Sequence, residues 1–372
     1  MLRGARCHLT AVLTALALSG CEDSAGLPTT APTLTRAAED LPALVLHVVR
    51  PRDTGPVTGS AAINWEPATK PESAYHYAWV DPSNRSNPKL LVFLPGATNR
   101  PMDYQLVEQE AARLGYHVIG LMYQNNVGVD AVCKGTRVPT PPPECSGDTR
   151  QEILDGIDRP FSQVDVNPAN SIDNRLTQLL KYLDEHYPDE RWSRFLDRDA
   201  PEWSQIAVAG QSQGAGQAAL IAKLRHVNRV VMLSGPPDAR VPDAVDAWVS
   251  IGETPAAKYF ALFHDRDLLV AGILANLKAL DMDRFGDPVL VTGDEGESPY
   301  AGTHILMTDL EPHGGFANPN PHRSTARDAF TPPAEGCTEI GPGCPPRLVD
   351  AWRYLMGEPP HGGSAKPLPT LP

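Results

Sequence analysis

The stretch Ile206–Gly216 reads IAVAGQSQGAG and decides the fold. Four small apolar residues typical of a buried strand precede Gly-x-Ser-x-Gly, and an alanine-rich segment typical of a helix follows. A nucleophilic serine needs a tight, strained turn, and side chains two positions away on either side would collide with it. The helix would also direct N–H groups toward a developing oxyanion. The stretch therefore predicts a strand–Ser212–helix turn; a nucleotide-binding Gly-rich turn is the alternative, but Gly-x-Gly-x-x-Gly is absent.

Outward from this turn, strand-like and helix-like segments alternate along the chain, which favours a mostly parallel sheet covered on both faces. After Lys89, the run Leu90–Leu94 is apolar throughout, as a strand buried on both faces should be. The predicted strands are Ala43–Val49, Tyr75–Val80, Lys89–Leu94, His117–Met122, Ile206–Ala209, Arg229–Leu233, Tyr259–Phe263, Val289–Thr292 and His304–Thr308. Predicted helices cover residues 101–115, 171–187, 211–225, 244–249, 268–280 and 348–355. Residues 123–168 are expected to be loop-rich and, with residues 293–321, to shape a pocket.

The motif and its context resemble the α/β-hydrolase superfamily over residues 41–357. Within this superfamily, the sequence GQSQGAGQAA…VVMLSGPPD over Gly210–Asp238 is similar to that of a bacterial group of secreted hydrolases, the BPSS-type hydrolases. The resemblance implies the α/β-hydrolase fold, with a mostly parallel central sheet flanked by helices. It also implies a serine hydrolase with a Ser-His-Asp triad, in which Ser212 is the nucleophile.

The resemblance implies two backbone oxyanion donors. One is the N–H of the residue after the nucleophile, Gln213, and the other comes from the loop after the third strand. That loop reads LPGAT over residues 94–98, and Ala97 is the expected second donor. Many members have His-Gly where this chain has Pro95-Gly96, so the match is partial.

The triad acid should follow a later strand and precede the histidine, where it would orient the imidazole. In the segment FHDRD over residues 263–267, Asp267 stands just past a strand end. Asp265 is a close alternative, and Asp238 after the preceding strand is a third.

Three histidines follow Asp267. His304 opens a predicted strand, which favours a structural role, and His313 lies in the loop after that strand. His322 ends a Pro-rich segment and precedes Ser324, which is expected to cap a helix over residues 325–328. His322 is therefore the favoured base, with His313 as the alternative. The order Ser, Asp, His is that of the α/β-hydrolases.

The N-terminus resembles a bacterial lipoprotein signal. Arg3 and Arg6 precede an apolar stretch, which ends in LSGC at residues 18–21. The resemblance implies removal of residues 1–20, acylation of Cys21 and an exported, membrane-anchored protein; an ordinary secretory signal is the alternative. Residues 21–40 are expected to form a flexible tether, 41–358 the hydrolase domain, and 359–372 a disordered tail.

Four cysteines remain after Cys7 and Cys21, an even number that suits disulfides in an oxidising compartment. Of the three connectivities, Cys133–Cys145 with Cys337–Cys344 is favoured, because each pair closes one short Pro/Gly-rich loop. No Cys-x-x-Cys or paired-His spacing supports a metal site.

The formal net charge of −13 excludes the basic footprint of a nucleic-acid-binding protein. The expected function is hydrolysis of an ester-like or other acyl bond through an acyl-enzyme, with esterase favoured over peptidase. The substrate is expected to be a small-molecule or polymer ester, the protein a monomer, and no metal or organic cofactor is expected. A catalytically lapsed surface binding module is the alternative, since fold alone does not fix function.

Overall fold

The structure is a computed structural model that describes residues 43–55, 74–133, 142–239, 245–250, 252–292 and 297–357. The predicted signal peptide, the lipidation site Cys21, the tether over residues 21–40 and the tail over residues 359–372 lie outside the described residues. The domain limits drawn from the sequence stay predictions.

Nine strands of the described residues form one central sheet with the order β1-β2-β4-β3-β5-β6-β7-β9-β8. The strands are β1 Val45–Val49, β2 His76–Val80, β3 Leu90–Leu94, β4 His117–Gly120, β5 Ile206–Gln211, β6 Arg229–Leu233, β7 Tyr259–His264, β8 Val289–Leu290 and β9 Ile305–Thr308. Only β2 runs antiparallel to its neighbours, β1 and β4. The mostly parallel sheet predicted from the sequence is confirmed.

Helices cover both faces of this sheet, and β3 shows why its sequence is a continuous apolar run. Leu90, Val92 and Leu94 pack in one core cluster with the helices Ile172–His186 and Gln213–Leu224. Leu91 and Phe93 pack in a second cluster with the helices Gln105–Arg113 and Val349–Met356. A strand buried on both faces has no polar side to display. The helices are α1 Gln105–Arg113, α2 Val129–Cys133, α3 Cys145–Asp155, α4 Ile172–His186, α5 Gln213–Leu224, α6 Val270–Ala279, α7 Asn320–Arg323 and α8 Val349–Met356.

One prediction of local structure is incomplete and one is wrong. The described part of the region 123–168 is loop-rich as expected, but it also contains α2 and α3, which the sequence did not predict. Helix α3 escapes sequence-based detection because its buried face carries polar side chains, among them Arg150 and Glu152, instead of an apolar stripe. The helix predicted over residues 325–328 is absent: the helical turn lies earlier, in α7, and contains His322. Ser324 therefore does not begin a helix; it is the C-terminal cap of α7, where its amide donates to the Asn320 carbonyl oxygen and its hydroxyl donates to the Pro321 carbonyl oxygen.

Both predicted disulfides, Cys133–Cys145 and Cys337–Cys344, are present. The first joins the last residue of α2 to the first residue of α3. Two such bonds indicate an oxidising compartment. Among the described residues, no helix has the length and hydropathy needed to cross a bilayer.

The topology places the carboxyl ends of β3, β5 and β7 along one edge of the sheet. From β3 the chain proceeds to β4 on one side, and β5 pairs with the other side of β3. In open parallel sheets, such a switch point leaves a crevice outside the strand ends in which ligands bind. The loops at these strand ends are therefore the place to look for a functional site.

Candidate functional site

Ser212 forms the turn between β5 and α5. Its backbone has φ 56° and ψ −117°, a conformation that L-residues rarely adopt. The flanking glycines are required by close approach: a Cβ on Gly214 would collide with the Leu94 carbonyl oxygen, and one on Gly210 would collide with the Gly214 backbone. The predicted strand–serine–helix turn is therefore present, and its glycines allow the start of α5 to lie directly against the end of β3.

The structure brings Ser212, His322 and Asp267 together from three separate segments. The His322 Nε2 atom lies 2.8 Å from Ser212 Oγ, and its Nδ1 atom lies 2.7 Å from Asp267 Oδ2. A carboxylate only accepts hydrogen bonds, so Nδ1 carries a proton and donates it to Asp267. In the neutral imidazole, Nε2 is then left as the acceptor for the Ser212 hydroxyl proton.

Asp267 is fixed by the turn after β7. Its side chain has no exposed surface, and its second oxygen, Oδ1, accepts a hydrogen bond of 2.9 Å from the Leu269 amide. The His322 side chain is 16 % exposed. The acid is thus buried and oriented, while the imidazole reaches the surface beside Ser212.

The other candidate histidines do not reach Ser212. His304 stacks between Phe260 and Phe285 at ring-centroid distances of 4.1 Å each, and its Nδ1 bonds the Tyr259 carbonyl. His313 bonds the Ala329 carbonyl oxygen through Nδ1 at 3.2 Å, and its Nε2 lies 3.5 Å from a carboxylate oxygen of Glu339.

The other candidate acids are also engaged elsewhere. Asp265 lies 2.9 Å from His264 Nδ1, on the exposed side of the turn. Asp238 forms a buried ion pair with Arg150 of α3. Neither carboxylate contacts His322.

In the loop after β3, one amide has no hydrogen-bond acceptor among the residues that the structure describes. The Gly96 amide donates to the Tyr104 hydroxyl at 3.1 Å, and the Thr98 and Asn99 amides donate to the carbonyl oxygens of Asn125 and Gly96. The Ala97 amide donates to no acceptor within the described part of the chain. Ala97 is the residue predicted as an oxyanion donor.

Asn125, in the region predicted to be loop-rich, holds the loop after β3 in place through its side chain. Its Nδ2 donates to the Gly96 carbonyl at 2.7 Å and to the Asn99 carbonyl at 2.8 Å. Tyr123 donates its hydroxyl to the Pro95 carbonyl at 2.8 Å. Nothing in the sequence near these two residues signals the contact, because it depends on how the segment after β4 packs against the segment after β3.

Gln213, the other predicted oxyanion donor, is held from two sides. Its side-chain Oε1 accepts from the Val129 amide at the start of α2 at 3.3 Å. Its carbonyl accepts from Arg150 Nη1 of α3 at 2.9 Å. The Gln213 amide itself, at the first position of α5, donates to no acceptor among the described residues. Within the described residues, the amides of Ala97 and Gln213 thus have no hydrogen-bond acceptor.

The strand order, the two helix layers and the strained serine turn agree on one architecture. The fold is that of the α/β-hydrolases. No protein-family model matches the sequence, and no curated protein sequence matches it. This chain is similar to two solved structures of esterase B from Lactobacillus rhamnosis, each at 12% identity and TM-score 0.33. One is described with a C4-C4 SN3 tributyrin phosphonate inhibitor, and the other as C6-C4 SN3 inhibited. The match covers 72% of this chain and 74% or 75% of those chains. The fold is assigned from this chain's own topology.

In the segments that the structure describes, no group of three or more His, Cys, Asp or Glu side chains is arranged to hold a metal ion. The groups available for chemistry at this edge of the sheet are a hydroxyl, an imidazole, a buried carboxylate and two free amides. Such a set suits nucleophilic attack on an acyl carbon.

Proposed function

We propose that the protein is a serine hydrolase that cleaves an ester-like or other acyl bond. The observation that carries the proposal is the hydrogen-bonded chain from Ser212 Oγ through His322 to Asp267, with contacts of 2.8 Å and 2.7 Å. Nucleophile, base and orienting acid within hydrogen-bond reach are the mark of an activated serine.

In the first half-reaction, Ser212 Oγ attacks the substrate carbonyl carbon while His322 Nε2 takes the hydroxyl proton. The carbonyl oxygen becomes an oxyanion, which the Gln213 and Ala97 amides stabilise by hydrogen bonds. Collapse of the tetrahedral intermediate breaks the bond to the leaving group, which takes the proton from His322. The product that stays is an acyl ester on Ser212.

In the second half-reaction, His322 takes a proton from water, and the resulting hydroxide adds to the acyl carbon. Collapse breaks the bond to Ser212 Oγ, which regains the proton from His322, and the carboxylic acid leaves. Buried Asp267 stabilises the imidazolium at both stages and keeps the imidazole in the correct tautomer. Each step uses only groups of the chain and water.

A fluorophosphonate probe tests this proposal, because it phosphonylates an activated serine. We expect labelling of the wild type and none of Ser212→Ala, and a fall in kcat for p-nitrophenyl acetate of about 10⁴-fold or more for Ser212→Ala and His322→Gln. Asp267→Asn should reduce kcat by about 10³- to 10⁴-fold.

His313→Gln and Asp265→Asn are the matched controls, and both should keep kcat within about twofold of the wild type. Failure of the wild type to label would contradict catalysis and favour the surface binding module. Labelling that survives in Ser212→Ala would show that another serine is the nucleophile. Faster turnover of peptide anilides than of esters would replace esterase by peptidase.

We further propose that the chain is exported as a lipoprotein anchored through Cys21. The two disulfides support export, and the lipobox-like LSGC at residues 18–21 supports the anchor. Metabolic labelling with a fatty-acid analogue in a bacterial host tests the anchor. Lipid should be incorporated into the wild type and lost in Cys21→Ala; lipid retained by that variant would overturn it. The closer likeness to BPSS-type hydrolases stays a prediction from the sequence.

A further inference from the structure

Gln211 is the residue just before Ser212 in the glycine motif, and both ends of its side chain are bonded inside the protein. It is 1% exposed. Its Nε2 donates to the His322 carbonyl oxygen at 2.9 Å, and its Oε1 accepts from the Tyr104 hydroxyl at 2.9 Å. One side chain thus connects the nucleophile turn to the histidine turn.

Tyr104 connects the same carboxamide to the loop after β3. Its hydroxyl accepts hydrogen bonds from the Gly96 amide at 3.1 Å and from Asn99 Nδ2 at 3.0 Å. Tyr104 is fully buried, and burial raises the pKa of its phenol, so the hydroxyl stays protonated.

The direction of these hydrogen bonds follows from counting protons. The Tyr104 hydroxyl has one proton and already accepts from two N–H groups, so that proton goes to Gln211 Oε1. The Gln211 carboxamide is then oriented with its NH₂ group toward the carbonyl oxygen of His322. Each N–H or O–H group in this chain of hydrogen bonds thus faces an acceptor. Reversing any one of the bonds would place two donors or two acceptors against each other.

The packing around the carboxamide is as tight as its hydrogen bonding. A Cβ on Gly96 would lie 2.5 Å from Gln211 Oε1, far inside van der Waals contact. Gly96 is therefore the residue that admits the Gln211 side chain beneath the loop. The chain of bonds spans from the residue before Ala97, through the residue before Ser212, to the backbone of His322.

We propose that Gln211 and Tyr104 are positioning residues for the reaction, an inference that rests on the proposed function. They set the His322 imidazole and the Ala97 amide at the correct distance from Ser212 through one shared hydrogen-bond relay. The physical reason is that the reactive groups lie on three separate segments, so bonds between these segments must hold them in place. A misplacement of about 1 Å costs roughly 100-fold in rate.

Two single variants test the relay. Tyr104→Phe removes the hydroxyl that joins Gly96 to Gln211. Gln211→Met keeps a side chain of similar length but removes both the acceptor of the Tyr104 hydroxyl and the donor to the His322 carbonyl oxygen. We expect each to lower kcat for p-nitrophenyl acetate by about 10- to 100-fold, with KM within about threefold of the wild type. The rate constant for fluorophosphonate labelling should fall in parallel.

Tyr116→Phe is the matched control. Tyr116, the residue before β4, is also buried, and its hydroxyl donates to the carbonyl oxygen of Met356, the last residue of α8, at 2.8 Å. This variant should lower the urea unfolding midpoint about as much as Tyr104→Phe does and leave kcat unchanged. A loss of stability without a loss of kcat in Tyr104→Phe would reduce the relay to a structural role and overturn the inference.

A double variant, Tyr104→Phe/Gln211→Met, tests whether the two residues act as one unit. If they do, its kcat should be no lower than that of the worse single variant; multiplied losses would show two independent effects and reject the shared relay. If Gln211→Met does not fold, the comparison of Tyr104→Phe with its control Tyr116→Phe tests the relay by itself. Wild-type protein that does not label would defeat the proposed function, whereas a labelled wild type with equally fast Tyr104→Phe would defeat only this inference.

Discussion

Arg150 and Asp238 form a bidentate ion pair with no exposed surface on either side chain. Arg150 Nε and Nη2 donate to the two carboxylate oxygens of Asp238, each at 2.5 Å. A Cβ on Gly216 would collide with the guanidinium, so the first turn of α5 has a glycine where Arg150 passes. Because Nη1 also bonds the Gln213 carbonyl, this pair holds α3 against the helix that follows Ser212.

We predict that Asp238→Ala destabilises the protein by about 3–5 kcal/mol, because it leaves the Arg150 charge buried without a partner. Arg150→Lys should also lower the free energy of unfolding below that of the wild type, since an ammonium cannot make the planar two-point contact with Asp238. Urea unfolding measures both. The control is Arg284→Ala in the exposed pair with Asp281, which should leave the midpoint unchanged; an equal loss there would contradict the role of burial.

The two disulfides differ in what they hold. Cys133→Ala/Cys145→Ala opens a loop with a sequence separation of 12 and should cost about 3 kcal/mol in unfolding free energy. Cys337→Ala/Cys344→Ala, with a separation of 7, should cost about 2.5 kcal/mol.

Only the first pair joins the helices α2 and α3 that hold Gln213, so its removal should also slow fluorophosphonate labelling, by about tenfold. The second pair serves as the control for loop closure alone. Equal labelling rates in the two double variants would show that the first disulfide does not support the Gln213 amide.

Gly214→Ala should destabilise the protein by more than about 3 kcal/mol and abolish labelling, because the new Cβ would collide with the Leu94 carbonyl oxygen. Gly252→Ala is the control: apart from the adjacent residues of the chain, no atom of the described residues lies within 4 Å of the Cβ it would create. It should stay within about 0.5 kcal/mol of the wild type. Chemical denaturation measures both, and a mild effect of Gly214→Ala would mean that β3 and α5 are less closely packed than described.

The third candidate histidine, His304, should make stability depend on pH. The pKa of His304 is lowered from 6.5 to about 4: burial has the largest effect, the hydrogen bond to the Tyr259 carbonyl opposes it, and the nearby Arg229 charge adds to the lowering. Between these pH values His304 is protonated in the unfolded chain but neutral in the folded chain. The unfolding free energy therefore falls as the pH drops from about 6.5 to about 4.

His304→Asn removes this titration, and its unfolding free energy should fall less steeply over the same pH range. Urea unfolding at pH 4.5, 5.5 and 6.5 gives the two slopes, and an NMR titration of the wild type gives the pKa directly. A His304 resonance that titrates near 6.5, or equal slopes in the two proteins, would contradict the assignment.

The parts of this protein that the sequence predicted are those whose cause is local. The apolar run of β3 follows from burial on both faces, and the glycine spacing around Ser212 follows from a turn only five residues long. Helix α3 was missed for the complementary reason: its buried face is polar, and Arg150 finds its partner Asp238 only after the chain has folded.

By itself, the sequence determined the alternation of strands and helices and the strained serine turn, and it favoured the pairing within the short cysteine loops, because these features depend on neighbouring residues. It left three histidines and three carboxylates open as partners of Ser212. The tertiary structure decided which of them meet, placing His322 Nε2 2.8 Å from Ser212 Oγ across a sequence gap of 110 residues. It also decided the relay from Tyr104 through Gln211 to His322. Contacts over such separations depend on how β3, β5 and β7 lie side by side in the sheet, and no local pattern carries that information.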